Sequence, residues 1–332
     1  MTEHSRQALV GAIGGTFISL AIMDIDEYSV ANFALLNSAD FVSPMEAISR
    51  YIKSLPRVPD KVGLSIAGPV DGERARMHNL PWAFDWNDIR AVTGSERICF
   101  INEFDALALA TPTLGSYELI ELNKGAIKRN ATRAVVSAGT GLGAAALAWT
   151  GNRWLPISGA SRLASFQQPL GHEFDIGAVI AHEGFVHAGQ VLTGRGLVAL
   201  YQALAKESGR EAVALTAPQV TKAGLSGEDP SAAKALELMA KWLGRFAGDI
   251  VLHYGATGGL YLAGGMPSNI VPALQTRDFL DAFEGVGERQ EYLGDTPIYV
   301  IKAGADAGLR GAAIALADSL PARPSTIHRL RA

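Results

Sequence analysis

The chain has 332 residues, of which 48% are hydrophobic and 19% are charged, and its formal net charge is -4. This composition predicts a soluble globular protein of two-domain size, and it excludes a disordered chain and a basic nucleic-acid-binding surface. The single cysteine, Cys99, excludes an intrachain disulfide and a cysteine-rich zinc site. No apolar run approaches about 18 residues and no signal-peptide core precedes residue 8, so we expect a cytoplasmic protein without a membrane partner.

Strands and short helices alternate in the first third of the chain. We predict, in order, strands at residues 8–13, 17–24 and 30–36, a helix at 45–55, a strand at 61–67, a helix at 85–92 and a strand at 97–101. The first helix has Ser43 as its N-cap with Glu46 three residues later, which is the pattern of a capping box. Strands connected through helices imply a largely parallel sheet that also carries an antiparallel hairpin.

The break at Thr111-Pro112 is the predicted domain boundary. We expect a small α/β domain over residues 1–112 plus 302–320, and a large α/β domain over 113–301. Within the large domain we predict a hairpin at 132–149, irregular structure at 154–168, helices at 173–187, 194–206 and 230–254, a strand at 260–262, a helix entered through Pro267 and a strand at 298–301. A terminal helix at 306–316 is expected to fold back onto the small domain.

Two glycine-rich turns follow predicted strands and have the composition of phosphate-binding loops. Residues 135–138 run into Gly139-Thr140-Gly141-Leu142-Gly143, and residues 8–13 run into Gly14-Gly15-Thr16. Glycines let the backbone approach a ligand closely, and successive N–H groups together with the Thr140 hydroxyl can donate to phosphate oxygens. Apolar residues resume after each turn, which indicates a hairpin and not the strand-to-helix passage of a Rossmann or Walker site. An ordinary tight hairpin turn is the alternative interpretation.

Three glycine motifs and two further loops carry a resemblance to a known family. Residues 10–16 look like a first phosphate motif, 138–143 like a second, 258–265 like an adenosine motif, 79–84 like a hexose loop and 101–104 like a catalytic loop. Over nearly the whole chain the sequence resembles the bacterial glucokinase family, within the superfamily of hexokinases, actin and the heat-shock ATPases. The resemblance implies a two-domain, hexokinase/actin-like α/β fold of the ribonuclease H-like type. In its cleft ATP, Mg²⁺ and glucose bind, and the γ-phosphoryl group passes to the sugar 6-hydroxyl.

The resemblance also assigns roles to single residues. It implies that Glu103 is the catalytic base. It implies nucleotide-binding roles for Gly14, Gly15, Thr16, Gly139, Thr140, Gly141, Gly143, Gly264 and Gly265. The candidate substrate contacts are Asn79, Asn102, Glu103 and Arg162. Arg162 is not part of the family's pattern, and its guanidinium either pairs with an anionic ligand or lies on the surface. The metal ligands are left unknown.

At five positions the sequence departs from the pattern of that family. The family's phosphate-motif Asp is Ala12 here, its base Asp is Glu103, and its sugar-binding Glu, His and later Glu are Ala160, Leu163 and Gly189. Hydrogen bonds to charged groups contribute about 1.5 to 3 kcal/mol each, so three lost contacts remove roughly 4 to 9 kcal/mol. A sugar bound at millimolar to micromolar affinity has only about 4 to 8 kcal/mol in total. We therefore expect glucose recognition in the family's manner to be nearly abolished.

Two functional hypotheses remain open. The first is an ATP-dependent hexose kinase with Glu103 as base, Mg²⁺ as an undecided cofactor, and a remodelled site for a sugar or an anionic small molecule. The second is a catalytically inactive relative that binds nucleotide or only a protein partner, which the substitution at Ala12 favours. Gly171-His172-Glu173 is either a substitute sugar loop or, as we favour, a helix N-terminus, and Asp24 is expected to be a turn residue. Neither hypothesis involves nucleic acid, and a homodimer is left open.

Overall fold

The computed structural model describes residues 6–126, 128–166, 186–302 and 306–319. The protein has an α/β fold that divides into two compact units, one formed by Met1–Ala106 with Gly308–Ala332 and the other by Leu107–Ala307. The first unit is therefore discontinuous in sequence, because its last helix comes from the C-terminal part of the chain.

The first unit contains two sheets among its described residues. Their strands are β1 (Gln7–Ile13), β2 (Phe17–Asp24), β3 (Val30–Asn37), β4 (Lys61–Ile66), β5 (Val70–Asp71), β6 (Arg74–Arg76), β7 (Ala83–Asp85) and β8 (Arg97–Asn102). The main sheet has the order β3-β2-β1-β4-β8, and β5, β6 and β7 form the small one. Ile13 pairs with Ile66, and Ile66 pairs with Asn102, so the carboxyl ends of the parallel strands β1, β4 and β8 lie in one row. The segments that follow these strands therefore start at the same edge of the sheet.

Helices pack on both faces of the main sheet. They are α1 (Pro44–Ile52), α2 (Trp86–Thr93) and the terminal helix (Ala307–Ser319), while α3 (Glu103–Ala110) follows β8 directly. Adjacent residues of β1 point to opposite faces, as the pleat of a strand requires. Leu9 lies in a core cluster with Ile48 of α1, and Val10 lies in a second cluster with Leu309 of the terminal helix. The sheet is thus buried on both sides over its central strands.

The second unit is built on a six-stranded sheet. Its strands are β9 (Leu119–Asn123), β10 (Arg133–Ala138), β11 (Leu142–Trp149), β12 (Trp154–Ser158), β13 (Leu260–Ala263) and β14 (Ile298–Ile301). Their order in the sheet is β12-β11-β10-β13-β14-β9. β10, β13 and β14 run parallel, whereas β11, β12 and β9 are antiparallel to their neighbours. In each unit, therefore, the first strand of an antiparallel hairpin, β1 or β10, also pairs with a parallel strand.

One long helix organises the core of the second unit. Its described helices are α4 (Ala188–Val191), α5 (Gly194–Glu207), α6 (Ala217–Ser226), α7 (Pro230–Tyr254), α8 (Gly265–Asn269), α9 (Val271–Leu274), α10 (Arg277–Glu284) and α11 (Glu288–Leu293), and the terminal helix is α12. α7 begins at the Asp229 N-cap, whose carboxylate accepts hydrogen bonds from two backbone amides, and it ends at Gly255 in the left-handed conformation. Trp242 of α7 is fully buried in one core cluster with Val136 and Leu262.

The predicted strands and helices of the first unit and the long helix α7 are confirmed, with ends that differ by at most a few residues. The prediction of irregular structure from residue 154 is wrong at its start, because Trp154–Ser158 pairs with β11 as an edge strand. The predicted helix at 173–187 lies largely outside the described residues, and its last two residues, Val186 and His187, are not helical. No helix in the described part is long and apolar enough to cross a membrane.

Candidate functional site

The Gly14-Gly15-Thr16 turn of the first unit is held by hydrogen bonds to its carbonyl groups. The Gly14 amide donates to the Phe17 carbonyl at 2.9 Å, which closes the hairpin of β1 and β2. The buried Ser38 donates twice, from its amide to the Thr16 carbonyl at 2.9 Å and from its hydroxyl to the Gly14 carbonyl at 2.9 Å. With these carbonyls occupied, the turn has a fixed shape at the carboxyl end of β1.

Asn79, a predicted substrate contact, lies beside this turn. A Cβ atom on Gly15 would be 3.5 Å from the Cβ atom of Asn79 and 3.8 Å from its Nδ2 atom. The loop that carries Asn79 is closed by a hydrogen bond from the Met77 amide to the Trp82 carbonyl at 2.9 Å. The structure therefore brings a residue of the hexose-loop motif next to the first glycine motif, although 63 residues separate the two in sequence (79 − 16).

Asn102 connects the two neighbouring strand ends at the same edge of the sheet. Its Nδ2 atom donates to the carbonyl of Gly68 at 2.9 Å, and its Oδ1 atom accepts from the amide of Phe104 at 2.9 Å. The second bond caps the start of α3, where backbone N–H groups have no partner within the helix. One of its two amide hydrogens is thus used by the fold, and the side chain has a fixed orientation.

Glu103 is the first residue of α3 and is half-buried. Burial disfavours the charged carboxylate and raises the pKa of Glu103 to about 7. The start of α3 acts in the opposite direction, because its positive partial charge favours an anion. A carboxyl group with this pKa exists in both protonation states near neutral pH, which suits a general base.

Ala12 is the residue that the resemblance aligned with the family's phosphate-motif Asp, and its side chain offers no carboxylate. Ala12 is partly buried, and a Cβ atom on Gly308 would be 3.3 Å from its methyl group. Asp24 lies at the far end of β2, where its carboxylate accepts from the amides of Asp26 at 2.8 Å and Glu27 at 3.0 Å, so it is a turn residue as predicted. Among the described residues, no group of three or more His, Cys, Asp or Glu side chains could hold a metal ion.

Three glycine segments meet in the second unit. Gly264 has a φ of +89°, and a Cβ atom there would overlap the carbonyl oxygen of Ala138, so only glycine fits. A Cβ atom on Gly139 would be 3.7 Å from the amide nitrogen of Gly265. The amide of Gly194, at the start of α5, donates to the Gly139 carbonyl at 2.9 Å. The second phosphate motif and the adenosine motif, far apart in sequence, are thus packed together as backbone against backbone.

The glycines of this group differ in their surroundings. Gly141, Gly264 and Gly265 are exposed, together with Thr140 of the turn. A Cβ atom on Gly141 or Gly265 would meet nothing within 4 Å among the described atoms, so a ligand can approach the backbone there. Gly143 is different, because it is buried in β11 opposite Ser137. The structure thus places Gly143 in the sheet and not on the exposed turn.

The start of α5 is a part of this group that the sequence analysis did not assign to a site. Thr193 is its N-cap, and the Thr193 hydroxyl accepts from the amide of Gly196 at 3.2 Å. α5 has 14 residues, so its N-terminal amides carry a partial positive charge that favours phosphate groups. In the sequence, the Thr193-Gly194 pair indicates this helix start, because it stands directly before a segment with apolar residues at helical spacing.

The three positions that the resemblance aligned with the family's sugar-binding residues, Ala160, Leu163 and Gly189, lie on two adjoining segments of the second unit. Ala160 and Leu163 belong to a short 3-10 turn, Ser161–Leu163 with Ala160 as its N-cap. A Cβ atom on Gly189 would be 3.0 Å from the carbonyl oxygen and 3.1 Å from the Cβ atom of Arg162. These positions therefore bear no group that hydrogen-bonds sugar hydroxyls, and a side chain at Gly189 requires Arg162 to move. The substitute loop with His172 and Glu173 lies outside the described residues.

Comparison with known proteins decides the family. A family model described as Glucokinase matches residues 9–319. The chain is 35% identical over 295 residues to a glucokinase of Mesorhizobium japonicum, covering 88% of this chain and 86% of that one. The chain belongs to the glucokinase family. Its resemblance to hexose kinases, first seen in the glycine motifs, is therefore confirmed, and ATP-dependent hexose phosphorylation is the activity that this family carries.

Solved structures of glucokinases have the same fold. A glucokinase from an Antarctic psychrotroph superposes with a TM-score of 0.82 at 29% identity, covering 95% of this chain and 99% of that one. A glucokinase from Balamuthia mandrillaris, solved in complex with glucose, gives a TM-score of 0.81 at 17% identity, with 94% of each chain covered. The two-domain, hexokinase/actin-like α/β fold that the glucokinase resemblance implied is confirmed.

Proposed function

We propose that this glucokinase-family protein binds ATP on its second unit and transfers a phosphoryl group to an acceptor other than glucose, with Glu103 as the base. The packed glycine group is the observation that supports it most. Gly139, Gly194 and Gly264 hold two motifs and a helix N-terminus together, and exposed backbone at Gly141 and Gly265 leaves room for phosphates.

The role of Glu103 rests on its position and its acidity. It follows Asn102 at the sheet edge where the first glycine turn and Gly68 also lie. Because burial raises its pKa to about 7, a substantial fraction is deprotonated at neutral pH and can accept a hydroxyl proton. The side chain is one methylene longer than Asp, and a displacement of about 1 Å costs on the order of a hundredfold in rate.

The acceptor is proposed to differ from glucose because the positions of the sugar-binding groups are Ala160, Leu163 and Gly189. Any Mg²⁺ that accompanies ATP would be held by the phosphates themselves, since the described residues offer no cluster of metal ligands.

We also propose that the two compact units are the two domains of the enzyme, with the adenosine motif in the larger one.

Thermal melts with separate ligands test the proposal. A ligand that binds only the folded state at a hundred times its Kd stabilises it by about 2.7 kcal/mol. ADP or ATP should therefore raise the melting temperature by several degrees, whereas tens of millimolar glucose should leave it unchanged. A coupled assay with ATP, Mg²⁺ and a panel of sugars then identifies the acceptor. A clear shift with glucose, or none with nucleotide, would contradict the proposal.

A second candidate function is a catalytically inactive nucleotide sensor. The specific observation that favours it is the methyl group of Ala12 at the position of the family's carboxylate, packed close to Gly308. Nucleotide binding without turnover of any acceptor in the same sugar panel would support this function over the first. A nucleotide affinity that does not change when Mg²⁺ is removed would support it further, because a competent kinase binds the metal complex.

A further inference from the structure

We infer that the second unit holds a site for an oxyanion, a carboxylate or a phosphate ester of the acceptor, at Arg162 and His187. The inference rests on the proposed function, since it names the chemical class of the acceptor. Three observations carry it: the fixed proximity of the two side chains, their lack of partners, and the charge of the segments around them.

Backbone hydrogen bonds hold the two residues side by side. Arg162 lies in the turn Ser161–Leu163, and His187 is bridged to Ser165, two residues after that turn. On either side of this bridge the Phe166 amide donates to the Val186 carbonyl at 2.8 Å, and the Ala188 amide donates to the Ala164 carbonyl at 3.0 Å. The two segments therefore form a short antiparallel pair, and its geometry does not depend on side-chain conformation.

Gly189 lets the two side chains approach one point. A Cβ atom on Gly189 would be 3.1 Å from the Cβ atom of Arg162 and 3.5 Å from the Nδ1 atom of His187. The Cβ atom of Arg162 and the ring of His187 thus lie beside the same position, which any residue larger than glycine would occupy. The absence of a side chain at Gly189 therefore has two effects. It removes the predicted sugar-binding carboxylate, and it leaves the space that Arg162 occupies.

Neither basic side chain has a partner within the described part of the chain. The Nδ1 atom of His187 is buried and makes no hydrogen bond there, and Arg162, which is half-buried, forms no ion pair with a described residue. A buried ring nitrogen without a partner is unfavourable, and a guanidinium in this setting is a strong donor for a planar anion. An oxyanion would satisfy both groups at once through charge-assisted hydrogen bonds.

The charge of the described parts of these two segments also favours an anion over a neutral sugar. The described stretches 154–166 and 186–196 contain no Asp or Glu, while they carry Arg162, His187 and Arg195. Neutral sugar hydroxyls are usually held by acceptors as well as donors, and carboxylates are the strong acceptors. In these stretches donors predominate among the side chains. The acceptor class that fits is a sugar acid or a sugar phosphate.

Titration calorimetry of the full chain with glucuronate, glucose 1-phosphate, inorganic phosphate and glucose tests this site. We expect at least one of the two sugar anions to bind at least tenfold more tightly than glucose and than inorganic phosphate. Preference for glucuronate assigns a carboxylate, and preference for glucose 1-phosphate assigns a phosphate ester. Equal affinity for inorganic phosphate and the sugar anions would overturn the assignment, as would binding of glucose alone.

Two variants and a matched control make the assignment specific. Arg162→Gln should weaken the sugar anion at least tenfold, and Gly189→Ala should weaken it by displacing Arg162 without a change of charge. Arg153→Gln, an exposed residue of the β11–β12 turn, should leave the affinity unchanged. Unaltered anion affinity in Arg162→Gln would overturn the site. An ATP-induced melting shift in each protein reports separately on the fold and on the proposed nucleotide site. A wild-type chain that keeps this shift but binds neither sugar anion would therefore refute only the oxyanion inference.

Discussion

The side chain of Asn102 donates to the carbonyl of Gly68 at 2.9 Å and so connects the end of β8 to the segment that follows β4. Gly68 is itself constrained, because a Cβ atom there would overlap the carbonyl oxygen of Arg76 in β6. One amide group therefore links the main sheet, the small sheet and, through its bond to the Phe104 amide, the start of α3. The position of Glu103 depends on this link.

Asn102→Ala should lower the free energy of unfolding by about 1 to 3 kcal/mol, because it removes a helix cap and a partly buried hydrogen bond. Asn102→Asp should cost less, since its carboxylate can still cap α3 while it loses the donor to Gly68. Urea denaturation measures both, with Asn269→Ala, at an exposed helix end, as the control. Equal stability of Asn102→Ala and wild type would refute the linking role.

Glu103→Gln should remove a loss of stability that the wild-type protein undergoes as pH rises. In the folded protein the pKa of Glu103, about 7, is above its ordinary value of 4.5. The contribution of Glu103 to the free energy of unfolding is therefore fully present below pH 4.5 and is lost as pH rises through 7. Relative to the variant, wild type should lose on the order of 1 to 3 kcal/mol between about pH 4.5 and 8, allowing for the partial exposure of the side chain. Chemical denaturation of both proteins across this range is the measurement. Parallel pH profiles would show that the carboxyl is not desolvated.

Gly264→Ala and Gly265→Ala form a matched pair of adjacent substitutions. Gly264→Ala places a methyl group against the Ala138 carbonyl at a φ of +89°. It should therefore lower the free energy of unfolding by at least about 1 kcal/mol and disturb the glycine group. The second projects into open space and should change stability by less than about 1 kcal/mol. If nucleotide approaches this backbone, Gly265→Ala should still weaken ADP binding severalfold. Unchanged ADP affinity in a stable Gly265→Ala protein would place the nucleotide elsewhere.

Glucose turnover should be absent or at least about 10³-fold below the ordinary enzyme median of roughly 10 s⁻¹. Glu103→Asp alone should restore little, because Ala12, Ala160, Leu163 and Gly189 remain. Ala12→Asp should make nucleotide affinity respond more strongly to Mg²⁺, although the nearby Gly308 leaves limited room. A coupled assay with each protein, with and without Mg²⁺, gives both readouts. Wild-type glucose turnover near the median would contradict the prediction.

The sequence predicts those parts of the fold that local patterns determine. Apolar runs on either side of the Gly14-Gly15-Thr16 break predict β1 and β2, and apolar residues at helical spacing from Pro230 to Tyr254 predict α7. The small sheet of β5, β6 and β7 has strands of two or three residues, too short for any periodicity to appear. β12 carries Pro156, which argues against a strand, yet it is an edge strand, where proline is tolerated.

For the candidate site, sequence motifs identify glycine positions but not their contacts. The packing of Gly139 against Gly265 and the bond between Gly194 and Gly139 depend on segments more than fifty residues apart (194 − 139 = 55). The partnerless Nδ1 of His187 is likewise invisible in a single sequence, because burial of one atom depends on the whole surrounding structure. The raised pKa of Glu103 has the same origin.

The terminal helix has a consequence for the order in which the protein acquires its structure during synthesis. Leu309, Ala313 and Leu316 cover the face of β1 and β2 that is formed by Ala8, Val10, Ala21 and Met23. The 201 residues of the second unit, Leu107–Ala307, separate this helix from the rest of the first. At ribosomal rates of roughly 5 to 20 residues per second, the terminal helix is synthesised about 10 to 40 s after the rest of the first unit, and until then the apolar face is not covered by it. Translation that stops before residue 307 leaves this apolar face of the N-terminal sheet without the helix that covers it.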